Sequence, residues 1–183
     1  MASSAPDALT PRAREIVAAA REILEAEGRE GLTMRRIGER LGIRAPSLYK
    51  HFPDKQALEA AIISAAFEEQ AELFERAVRG SPDPLADLAA VYRRFARAHP
   101  HLYRLMTDQE LRRDLLAPGI EERAGLPVFR AAGEDRDRAR AAWAFAHGMT
   151  MLELTNRFPP GADIDAAWRA GIDAFRDLPG ASS

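Results

Sequence analysis

The chain has 183 residues, 46% of them hydrophobic, and a formal net charge of −2; this is enough apolar content for a packed core and excludes a protein that coats nucleic acid along its whole surface. It contains no cysteine, which excludes disulfides, thiolate metal sites and cysteine-based redox sensing. There is no basic stretch leading into an apolar run at the N-terminus and no run of about 18 apolar residues, so neither export nor membrane insertion is expected and the expected location is the cytoplasm.

In chain order, residues 1–9 are small and polar and read as a flexible tail. Thr10-Pro11 marks a helix start, an N-cap followed by a proline in the first turn. Ile16, Ala20, Ile23, Leu24 and Glu27 then follow helical spacing, and Gly28 is the expected stop. Thr33 reads as the N-cap of a second helix, with Leu32 placed to pack on Ile37 as a hydrophobic staple. Gly42 ends that helix after two turns, Ile43 is expected to turn inward, and Pro46 opens a short third helix whose Leu48 and Phe52 close a small core. Pro53 stops the third helix and Asp54 caps a long amphipathic fourth one carrying Leu58, Ile62, Ala65, Ala66, Phe67, Leu73 and Phe74.

Gly80-Ser81-Pro82-Asp83-Pro84 is the clearest break in the chain. Beyond it, residues 85–99, 102–116, 125–132, 135–157 and 164–177 read as helices, and no segment reads as a strand. The expected fold is therefore all-α: a three-helix DNA-binding domain at 10–56, joined through the long fourth helix to an all-helical domain at 57–178, with a second flexible tail at 179–183.

The segment from Thr33 to Phe52 has the form needed to present a helix to the major groove, with two short helices, a glycine turn and apolar positions facing inward. Its outward positions are Arg44, Ala45, Ser47, Lys50 and His51, with Tyr49 on the flank. Charge supports this reading. From Leu32 to Lys55 six basic residues meet only Glu39 and Asp54, and the two lysines of the chain, Lys50 and Lys55, both fall here. An ordinary helical hairpin with a solvated polar face explains the caps but not this basic cluster.

Residues 33–38, 41–43, 47–52, Lys55 and Leu58 resemble, without a gap, the DNA-binding signature of the TetR (tetracycline repressor-like) regulators. The resemblance implies that Arg35 and Arg36 approach the DNA backbone or groove edge, that Ala45, Pro46 and Ser47 face bases, and that Tyr49 and His51 hold phosphates. It further implies that Lys50 reaches a base edge or phosphate, that Lys55 binds the backbone, and that free N–H groups at helix starts, such as that capped by Thr33, add phosphate contacts. Many relatives carry a polar residue where this chain has Ala45, which offers only a methyl group, so specificity is expected to rest on Lys50, Arg44 and Ser47. A shorter stretch, Trp143-Ala-Phe-Ala-His147-Gly148 following His99-Pro100-His101-Leu102-Tyr103, resembles the Trp-His-Gly type of C-terminal domain found in some of these regulators.

Tyr92, Phe95, His99, Tyr103, Met106, Trp143, His147 and Met151 are the candidate lining of an effector cavity, with Glu153 as a further polar anchor; helical spacing equally allows most of them to be plain core. His99, His101 and His147 lack the spacing of a recognisable metal site, so no metal and no cofactor are expected. The last two helices carry small residues on more than one face, a pattern that suits a four-helix dimer interface or simply the monomer core. No nucleophile elbow, phosphate loop or acid pair marks an enzyme. The function expected is a ligand-responsive repressor that binds a palindromic double-stranded DNA operator as a homodimer, with a small-molecule effector; a helical metal-binding protein or an adaptor for another protein are the rivals.

Overall fold

A computed structural model describes residues 9–176, the side chain of Ala45 excepted. The expected tails, Leu9 apart, and the last residues of the expected final helix lie outside that range. Among the described residues the regular structure is entirely helical: α1 (Pro11–Gly31), α2 (Met34–Leu41), α3 (Ala45–Leu48), α4 (Lys55–Val78), α5 (Pro84–Ala98), α6 (Pro100–Thr107), a 3-10 turn (Arg113–Leu115), α7 (Ile120–Ala131), α8 (Arg136–Leu154) and α9 (Ile164–Arg176).

The helix starts follow local chemistry. Thr10 Oγ1 accepts from the Ala13 amide and Thr33 Oγ1 from the Arg36 amide, each satisfying one otherwise orphaned donor. Asp54 and Asp135 do the same for the amides of Ala57 and of Asp137 and Arg138. Gly42 closes α2 in the left-handed conformation (φ 65°).

Four elements differ from expectation. Gly28 breaks α1 (φ 72°, ψ −176°), but a further turn runs to Gly31 instead of stopping there. The third helix covers only residues 45–48 and continues to Phe52 as hydrogen-bonded turns, the amides of His51 and Phe52 both donating to the Leu48 carbonyl. Helix α6 begins at Pro100 and ends at Thr107, well short of residue 116. Asp108 and Glu110 follow at its C-terminal end, where the helix dipole disfavours negative charge. Helix α7 begins at Ile120, five residues earlier than expected, with Glu121 and Glu122 in its favourable first turn and the fully buried Pro127 inside it.

Packing divides the described residues into two compact units, 9–67 with 99–120 and 68–98 with 121–176. The division does not fall at the expected boundary after residue 56: the first half of α4, with α6 and the 3-10 turn, belongs with α1 to α3. In the first unit α1 packs on both α2 and α6, and Ile16, Leu24, Leu32, Ile37, Leu48, Leu58, Ile62, Leu102 and Tyr103 are almost completely buried. Ile43, expected to turn inward, is only half-buried. In the second unit α5, α8 and α9 pack on one another, with Leu88, Tyr92, Phe95, Ala146, Trp168 and Ile172 buried.

Candidate nucleic-acid interface

Leu48 and Phe52 anchor the α3 segment, at 0% and 4% exposure, and so fix which side chains face out. Arg44, Pro46, Ser47, Tyr49, Lys50 and His51 are all exposed; Ala45 opens α3, and its side chain lies outside the described set. One short stretch of backbone therefore presents a row of polar and cationic groups above an apolar base, as direct reading of base edges requires.

The cations of this face fall into two groups. Arg35 donates to Glu39 at 3.0 Å, Arg36 pairs with Glu27, and Arg40 pairs with Glu22. No carboxylate partner is found for Arg44 or Lys50 among the described residues. Lys55, expected as a backbone-binding cation, already donates to the Arg29 carbonyl at 3.2 Å and stands 3.6 Å from Glu59 Oε1. Glu59 is 7% exposed and takes two hydrogen bonds of 3.0 Å from the Arg29 guanidinium, which the same contact holds above its ordinary pKa range. Lys55 thus helps neutralise a buried carboxylate at the start of α4. Sequence reasoning missed Arg29 and Glu59; the Lys55–Glu59 spacing of four along a helix was the one available signal.

The eight residues named as an effector lining are divided between the two units. Tyr92, Phe95, Trp143, His147 and Met151 belong to one; His99, Tyr103 and Met106 belong to the other. Tyr92 and Phe95 are core, with Tyr92 stacked on Phe74 at 6.3 Å between centroids. Trp143 is 53% exposed on α8 and stacks on His147 at 6.0 Å, so it faces outward and does not line the interior of its unit. Tyr103 is 1% exposed, and His99 Nδ1 lies 2.8 Å from Glu25 Oε1 on α1. A small groove of about 70 Å³ in the first unit is lined by Arg29, Gln56, Glu59, Leu105 and Arg112 among others, and of the eight only Met106 reaches it. Glu153 is not a free anchor: it accepts from Arg93 at 2.9 Å and from Trp168 Nε1 at 2.6 Å.

Among the described residues no three His, Asp or Glu side chains stand where they could hold one metal ion, and no helix is long and apolar enough to cross a membrane.

Comparison with known proteins places these features in a family. Residues 16–62 match the model for bacterial regulatory proteins of the tetR family, and residues 85–175 match that for the tetracyclin repressor-like C-terminal domain, together most of the chain. The C-terminal match does not itself specify the Trp-His-Gly type. An uncharacterised HTH-type transcriptional regulator of Mycobacterium tuberculosis is 29% identical over 150 residues, covering 76% of this chain and 69% of the relative. The class C tetracycline repressor protein of Escherichia coli is 48% identical over 50 residues, which cover 27% of this chain and 23% of the repressor. A solved structure of a Rhodococcus protein of unknown function superposes with a TM-score of 0.75 at 28% identity, covering 96% of this chain and 99% of that one. Helix order, cap chemistry and both matched regions agree, and the chain is a DNA-binding transcriptional regulator of the TetR family.

Proposed function

We propose that this regulator is a repressor that binds a palindromic operator as a homodimer and releases it when a small molecule binds the helical unit built on α5, α8 and α9. The observation that carries the reading is the exposed row at 44–51 over the buried Leu48 and Phe52, with Arg44 and Lys50 left without carboxylate partners among the described residues. In this reading Lys50, Arg44 and Ser47 contact base edges, Pro46 packs in the groove, and Tyr49, His51, Arg35, Arg36 and the helix start capped by Thr33 hold phosphates. Lys55 contributes to the backbone only by giving up part of its hold on Glu59.

A homodimer is supported by the outer faces of α8 and α9. Ala142, Ala146 and Gly171 pack within the chain, whereas Ala141, Ala144, Ala170 and Ala174 are exposed beside Trp143 and Leu152. Small residues on two adjacent helices allow a close approach by the same helices of a second copy. Repression and ligand response are supported by the likeness to the tetracycline repressor protein. The effector then acts by binding more tightly to a conformation with the wrong spacing of recognition segments, and DNA affinity falls by that difference. The site of action is the cytoplasm.

Selection of bound duplexes from a random pool at moderate salt tests the whole reading. It is expected to return a two-fold symmetric site with half-sites about 34–36 Å apart, one helical turn. Recovery of no preferred sequence overturns it. Light scattering at micromolar protein is expected to give twice the chain mass of 20.2 kDa, and a monomer contradicts the dimer.

A further inference from the structure

Hydroxyls at the helices of this chain commonly satisfy themselves. Ser64 donates to the Ala60 carbonyl at 2.8 Å, Thr107 to that of Tyr103 at 2.8 Å, and Thr155 to that of Met151 at 2.6 Å. This bond to the preceding turn is the ordinary resort of Ser and Thr in a helix. Thr150, within α8, differs: it is 1% exposed, and its Oγ1 has no hydrogen-bond partner among the described residues. A buried hydroxyl that neither bonds back nor meets a partner has given up its bonds to water for nothing, and folded proteins keep few such groups without a use.

The surroundings narrow that use. Thr150 continues a buried line of Ala142 and Ala146 at four-residue spacing, and α5 supplies Leu88, Tyr92 and Phe95 to the interior of the same unit. The interior charges of that unit are already matched, because Arg93 is bound by Glu153 and Asp165, and Glu153 also by Trp168 Nε1. A charged guest would find no counter-charge there and would lose its hydration without return.

We infer that the Thr150 hydroxyl is the polar anchor of the effector site in the α5–α8–α9 unit, and that the effector is an uncharged, mainly apolar small molecule carrying one hydrogen-bonding oxygen. The inference rests on the ligand-responsive reading above. A threonine hydroxyl both donates and accepts, so a carbonyl and a hydroxyl on the ligand fit equally. An apolar lining with a few placed polar groups is the usual make-up of a small-molecule site.

The test uses the full chain and three matched probes: 2-acetylnaphthalene, the hydrocarbon 2-ethylnaphthalene and the anion 2-naphthoate. Binding is read by quenching of Trp143 and Trp168, the two tryptophans of the chain, both in this unit. The ketone is expected to bind wild type most tightly and naphthoate least. Thr150→Val is expected to bind the ketone about fivefold more weakly, the effect of one hydrogen bond, and the hydrocarbon unchanged. Thr150→Ser is expected to retain ketone affinity, and Thr155→Val, whose hydroxyl is bonded back to the helix, to match wild type. Thr150→Val is also expected to melt no lower than wild type, since nothing in the fold uses the hydroxyl. No ketone binding by wild type, equal ketone affinity in Thr150→Val, tighter naphthoate binding, or a clear loss of melting temperature in Thr150→Val each overturns the inference. None of these outcomes bears on the duplex selection, so failure here is distinct from failure of the regulatory reading.

Discussion

Arg35, Arg36 and Arg40 each carry an exposed carboxylate partner, and exposed ion pairs of this kind are worth about 0–1 kcal/mol. A DNA phosphate can therefore take over these guanidinium groups at little expense, which makes them sequence-tolerant contributors. Lys50 has no such partner among the described residues, and Lys50→Ala is expected to lose about 1–3 kcal/mol of discrimination at one base position per half-site in quantitative gel shifts. Glu59 sits at the other extreme. Its carboxylate is buried between Arg29 and Lys55, so removing a partner leaves a poorly compensated charge. Because the Arg29 side chain is about half exposed, Arg29→Ala is expected to destabilise the fold by about 1–2 kcal/mol in urea melts, less than the loss of a fully buried pair. An unchanged midpoint would show that Lys55 alone suffices.

At the scale of elements, Gly28 holds α1 to its course. Its φ of 72° with ψ of −176° belongs to a region that only glycine occupies readily, and a Cβ there would stand 3.3 Å from His101 Nδ1 on α6. Gly28→Ala is expected to cost about 1–3 kcal/mol, whereas Thr33→Ala, which removes only a cap, is expected to cost about 1 kcal/mol; thermal melts of the two side by side decide whether backbone strain outweighs capping. The same two positions show what was legible beforehand. Caps and turn glycines act within a few residues, so Thr10, Thr33, Gly42 and the start of α5 could be read directly. The extra turn after Gly28 could not, because it depends on His101, more than seventy residues away. The early end of α6 and the inclusion of Pro127 in α7 were likewise hidden, since tertiary burial overrides local preference there. In the candidate interface the exposed row at 44–51 was legible from the alternation around Leu48 and Phe52. The engagement of Lys55 was not, because Arg29 lies on another helix.

At the scale of the molecule, each unit carries its own polar tie. In the α5–α8–α9 unit, Arg93 links all three helices: it donates to Glu153 on α8 and to Asp165 on α9, and its guanidinium carbon lies 5.6 Å from the centre of the Trp168 ring. No pattern along the chain announced this, since Arg93 lies 60 residues from Glu153 and 72 from Asp165. The hydrogen bond from Arg93 holds the Asp165 carboxyl below the usual carboxylate range. A carboxylate with a lowered folded pKa stabilises above its unfolded pKa of about 4, and that contribution is lost as pH falls through the lower folded value. The melting-temperature gap between wild type and Asp165→Asn is therefore expected at pH 7 and to close in stronger acid; a gap that persists there would assign the effect to something other than charge.

The central claim is that the exposed row at 44–51 reads DNA sequence. Parallel selection from one random-duplex pool with wild type and Lys50→Ala tests it most directly. The account predicts a symmetric site for wild type and a preference lost or altered at one position in each half-site for the variant. Identical preferences for the two proteins, or none for either, would contradict it.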